Sequence, residues 1–133
     1  MNNMKPQVAP IVIGGVVAVL VFDGLGSLAS KQFGFIYALL VPGSLLIYGT
    51  VAALVARRRD WLLGFFAAMG MAFTDLTAGW AVSWLIGPGK PEGGFTPMTI
   101  VGAVMTVSVL GGLAGAIGAW VGARRTRDSS PAA

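Results

Sequence analysis

Residues 61–86 read WLLGFFAAMGMAFTDLTAGWAVSWLI, and this stretch decides the fold. Only Asp75 in it carries a charge. At 1.5 Å per residue a helix of this length reaches about 39 Å, which crosses a hydrocarbon core of about 30 Å with some tilt. Three more apolar stretches surround it: residues 8–28, 33–56 and 98–123. The spacing predicts an all-α, polytopic membrane protein. Its four transmembrane helices form an antiparallel up-down bundle within a single domain over residues 1–128, followed by a disordered tail at 129–133.

Composition agrees. Of 133 residues, 56% are hydrophobic and 11% charged, against about 25% charged in a typical soluble domain. That excludes a water-soluble domain and intrinsic disorder. With no cysteine there is no disulfide, iron–sulfur cluster or thiolate nucleophile, and with no histidine no imidazole base. No metal site and no cofactor is expected. The first span, preceded only by Lys5 and followed by Asp23-Gly-Leu-Gly-Ser, is not expected to be a cleaved signal peptide.

The charges set a direction. With a cytoplasmic N-terminus the inner side holds Lys5, Arg57, Arg58, Arg59, Arg124, Arg125 and Arg127, and the outer side Lys31 and Lys90. Seven against two places both termini in the cytoplasm. The same bias disfavours an antiparallel dimer, so a homo-oligomer would be parallel. The net charge of +4 lies at span ends, where it faces anionic lipid, and no aromatic-interleaved basic surface suggests nucleic acid. Trp61 and Trp120 fall at inner span ends, and Trp84, Phe33, Phe35, Tyr37 and Phe95 near outer ones, as a belt does. Turns are expected at Ser30–Gln32 and Arg57–Asp60, with an irregular external loop from Gly87 to Pro97. Arginine over lysine, with abundant alanine and glycine, points to a prokaryotic inner (plasma) membrane.

Polar residues far from the span ends carry the functional signal. A central Asp costs roughly 2.5 to 3.5 kcal/mol on insertion scales, so Asp75 must face protein or water. It lies on a narrow stripe with Gly64, Ala68, Met71, Ala78 and Val82. Tyr37, Val41, Ser44 and Tyr48 share a face of the second span. Counted from the outer ends, Ser44, Asp75 and Thr106 form a layer near the midplane. Asp23 and Tyr37 form a shallower one, about 9 Å away at six residues of rise. Pro42 breaks the second helix at the deeper level.

Plainer roles stand beside these. Asp75 would lock helix packing, Asp23 would snorkel or end its helix before Gly24, Tyr37 would belong to the belt, and Pro42 would be a tolerated kink. On the fourth span Ser108, Gly111, Gly115, Gly118 and Gly122 make a glycine face for packing inside the bundle or between copies.

Two functions follow. One is an oligomeric transporter or channel for a small cation or proton-coupled solute, with Asp75 as its binding or protonation site. The other is a non-catalytic accessory or assembly subunit of a larger membrane complex. An enzyme is not expected. Intramembrane aspartyl proteases of the presenilin type pair acids on adjacent helices, whereas here no Gly-x-Gly-Asp occurs and the acids are expected at different depths. Small multidrug exporters carry a Glu in the first span, and this chain has none there.

Overall fold

The computed structural model describes residues 8–87, 94 and 96–128, and its regular structure is entirely helical. Among the described residues, four helical stretches are long and apolar enough to cross a membrane: Ala9–Phe33, Tyr37–Arg58, Trp61–Ile86 and Pro97–Arg124. The first is α1 (Ala9–Phe33). The second is a 3₁₀ turn, Tyr37–Leu40, leading into α2 (Val41–Arg58). In the third, a π turn at Asp75–Gly79 joins α3 (Trp61–Thr74) to α4 (Trp80–Ile86). The last is α5 (Pro97–Asp128). Of the expected features, the tail at 129–133, Lys5, Lys90, Phe95 and most of the Gly87–Pro97 loop lie outside the described residues.

Local chemistry explains the boundaries, and several differ from expectation. Gly24 and Gly26 do not stop α1, because its backbone hydrogen bonds are satisfied internally. The helix passes Leu28 and ends at Gly34, whose left-handed φ of 70° lets its N–H reach Ser30 O at 2.8 Å. The expected turn at Ser30–Gln32 is therefore helical. Pro42 occupies the first turn of α2, where its missing N–H has no intrahelical partner to lose, so it does not break a helix at mid-depth. Asp60 caps α3, its Oδ1 accepting from Leu63 N at 2.8 Å. Thr96 and Thr99 cap the start of α5 reciprocally: Thr99 N donates to Thr96 Oγ1 at 3.1 Å, and Thr96 N to Thr99 Oγ1 at 2.9 Å.

The π turn has the largest effect on the site. A π turn accommodates one residue more than an α turn and rotates everything after it. Beyond Asp75 the expected stripe of Ala78 and Val82 gives way to Gly79 and Ser83, which are buried, while Ala78 and Val82 are only half-buried. Thr74 and Thr77 flank the acid and bond back to their own helix, Thr74 Oγ1 to Gly70 O and Thr77 Oγ1 to Phe73 O, both at 2.9 Å. Such back-bonding bends helices and accompanies the irregular turn.

α2, α3 and α5 pack against one another most closely. The glycine face of α5 makes that possible. An added Cβ at Gly111 or Gly115 would meet the Cβ of Ala72 or Ala68, and at Gly118 or Gly122 it would strike the backbone of Gly49 or Ala53. Ser108 continues the row, half-buried. The face is thus filled by α2 and α3 of the same chain. Of the two expected uses of the face, packing inside the bundle is the one these contacts fill.

α1 packs mainly on α2, α4 and the π turn, touches α3, and among the described residues does not reach α5. Small side chains face inward throughout: Ala52, Ala68, Ala72 and Ala119 are fully buried together with Val19 and Val55. Large ones face outward, Ile13, Val17, Val21 and Leu25 on α1 and Met105, Val109, Leu113 and Ile117 on α5. This is the distribution expected of helices surrounded by acyl chains. At the C-terminal end of α5, Trp61, Trp120 and Arg124 come together, with the guanidinium 3.7 Å from the Trp120 ring centre.

Candidate functional site: two carboxyls in one cavity

On α1, residues Gly15, Val19, Asp23, Ser27 and Ser30 recur every three or four positions, and all are buried. Asp23 is 3% exposed. It neither snorkels nor ends a helix, because α1 continues ten residues beyond it and its face is covered by α2 and α4. Asp75 lies eleven residues before the end of α4 at Ile86. The two acids therefore occupy matching levels. The two-layer arrangement, with 9 Å between layers, is replaced by one cluster.

Gly79 brings the acids together. A Cβ there would collide with both Asp75 Oδ1 and Asp23 Oδ2, so the two oxygens rest against the same point of its backbone. Tyr48 donates its hydroxyl to the other oxygen of Asp75, Oδ2. Ser44, one turn earlier on α2 and buried, lies beside the Tyr48 hydroxyl. The Tyr37 hydroxyl sits next to Asp23 and close to Ser27 and Ser83. Tyr37 is half-buried and faces inward, which corrects its placement in an aromatic belt.

These groups border a cavity of about 160 Å³. Asp23, Tyr37, Ser44, Tyr48, Asp75 and Thr106 all line it, so the six candidate residues converge from four helical stretches. Thr106 contributes from α5 at the exposed rim. Leu40, Leu45, Leu76 and Leu110 form apolar walls, and Trp80 closes part of the rest. No Lys or Arg among the described residues borders the cavity. Among the described residues no group of three or more His, Cys, Asp or Glu is gathered as a metal cage would need.

Four positions escaped the sequence reading. Ser27 was detectable, since Asp23, Ser27 and Ser30 share one helical face by spacing alone. Gly79, Trp80 and Ser83 were hidden behind the π turn, for which the sequence carries no reliable mark.

No protein-family model, no curated protein and no solved structure matches this chain. The functional reading therefore rests on the geometry of the site.

Proposed function

We propose that this chain is a small carrier or channel of a prokaryotic inner membrane, moving a cation or a proton-coupled solute. Its helices run up and down with both termini cytoplasmic, and Asp75 with Asp23 is its binding site. One observation carries the proposal: two carboxyl groups adjoin at mid-helix depth in a cavity that, among the described residues, no basic side chain borders. Like charges so placed cannot both persist in an apolar surround, so the pair must share a proton or hold a cation. Tyr48 and Ser44 supply hydroxyl oxygens beside the pair, and leucines shield it.

A carrier fits better than an enzyme. The adjacency of Asp23 and Asp75 removes depth as an argument against aspartyl chemistry. Yet a catalytic dyad must hold a water between its carboxyls, and here Gly79 stands against both oxygens while Tyr48 engages Asp75. The exposed rim at Thr106 supports exchange between the cavity and the surface of the bundle.

The test uses the purified chain in liposomes under imposed proton and alkali-cation gradients. Flux is expected in the parent and its loss in Asp75→Asn and Asp23→Asn, with melting curves confirming that both variants fold. Undiminished flux in both variants would overturn the site. A parent that carries nothing, yet purifies with larger companions in fixed ratio, would favour an accessory subunit.

A further inference from the structure

On α1 the buried face is apolar before the acid, at Gly15 and Val19, and hydroxylic after it, at Ser27 and Ser30. The third stretch repeats the pattern. Ala68, Met71 and Ala72 precede Asp75, and Ser83 follows Gly79. On α2 the order is reversed along the chain and identical in space: Ser44 and Tyr48 come first, then Val51, Ala52 and Val55. Gly15 packing against Val51 and Met71 shows that the three apolar ends coincide.

Ser27 and Ser83 are both 0% exposed, and neither Oγ completes a hydrogen bond of good geometry with the protein. Both lie near the Tyr37 hydroxyl, which adjoins Asp23. Two buried hydroxyls around one phenol, neither with a well-formed hydrogen bond, are costly unless ordered water joins them. Nearer the end of α1, Ser30 Oγ donates to Phe35 O at 2.7 Å, and Lys31 Nζ donates to Ile86 O at 3.2 Å.

We infer that Ser30, Ser27, Ser83 and Tyr37, with water lodged between the two central serines, form a one-sided proton path to the Asp23–Asp75 pair. The path opens where α1 ends, which is the external face in the proposed orientation. Val19, Val51 and Met71 seal the opposite side. The inference rests on the reading of the pair as a proton or cation site. Each hydroxyl or water oxygen accepts one proton and gives up another, so no link is left charged. The net change is one proton from external water onto a carboxylate. The titratable groups facing Asp23 are Asp75, Tyr37 and Tyr48, and the Lys31 ammonium is engaged at the mouth by Ile86 O.

Infrared spectroscopy of the full chain in liposomes tests this by following the protonated-carboxyl band after transfer from light to heavy water. The band is assigned by its loss in Asp75→Asn and Asp23→Asn. In the double variant Ser27→Ala/Ser83→Ala, deuterium exchange of that band is expected to slow about tenfold, the scale of one lost hydrogen-bonding link. Tyr37→Phe, which keeps the ring, should slow it similarly, and Thr50→Ala on the outer face of α2 should not. A purely packing role would leave the exchange rate unmoved. Parental exchange rates in both the double variant and Tyr37→Phe overturn the path while leaving the proposed site intact. Absence of a protonated-carboxyl band from the parent overturns the path alone, since a pair that holds a cation receives no proton.

Discussion

Tyr48 and Asp75, 27 positions apart in the chain, are joined by a hydrogen bond from the phenol hydroxyl to Oδ2. The bond fixes α2 to the π turn at the centre of the bundle, and it holds one carboxylate oxygen in place while the other meets Asp23.

Tyr48→Phe keeps the ring and removes the donor. The variant should fold and lose about 1–2 kcal/mol, the worth of a buried bond to a carboxyl group. Thermal unfolding in a fixed detergent reads this as a lowered midpoint. An unchanged midpoint would mean that the hydroxyl does not serve Asp75.

Gly79→Ala places a methyl group where Asp23 Oδ2 and Asp75 Oδ1 already lie. Overpacking of this kind costs about 1–3 kcal/mol, and here it also parts the two carboxyls. Flux should fall further than stability alone explains. Gly102→Ala is the matched comparison, since a Cβ at Gly102 meets nothing within 4 Å. Equal flux in the two variants would show that contact between the acids is unnecessary.

Gly118→Ala and Gly122→Ala drive a methyl into the backbone of α2, which cannot move as a flexible side chain can. Each should destabilise the bundle by about 1–3 kcal/mol. Gly112→Ala, whose Cβ would meet only Met69 Sδ at 3.7 Å, should be tolerated. Cross-linking should report the same copy number for all three, because the face is internal. A change in copy number with the glycine variants would return the face to an intermolecular role.

Orientation is open to a direct assay. Seven Lys and Arg at one set of span ends against two at the other predict a cytoplasmic C-terminus. Alkaline phosphatase fused after Ala133 should be inactive in a bacterial host, and a fluorescent protein fused there should fluoresce. The opposite pair of results would invert the bundle.

The four spans were legible because lipid imposes length and apolarity on each, and their ends are marked by Asp60, Thr96 and Gly34. The six polar residues named from the sequence all line the cavity, Ser44, Tyr48, Asp75 and Thr106 from deep positions and Asp23 and Tyr37 from ones read as shallow. Their grouping was not. Extending α1 past Leu28 moved Asp23 inward, because membrane helices tolerate the glycines at 24 and 26. One extra residue in the π turn exchanged Ala78 and Val82 for Gly79 and Ser83. Periodicity assumes an unbroken 3.6-residue repeat, so a single irregular turn misassigns every position beyond it.

The place of α1 outside the closely packed trio of α2, α3 and α5 has a mechanical consequence. Asp23 rides on this outer helix, while Tyr48 belongs to the trio, clamped backbone to backbone at Gly118 and Gly122, and Asp75 sits in the π turn that continues α3. Pulling the acids apart therefore asks for a tilt of one rod against a rigid frame. Charge on the pair becomes leverage on that rod.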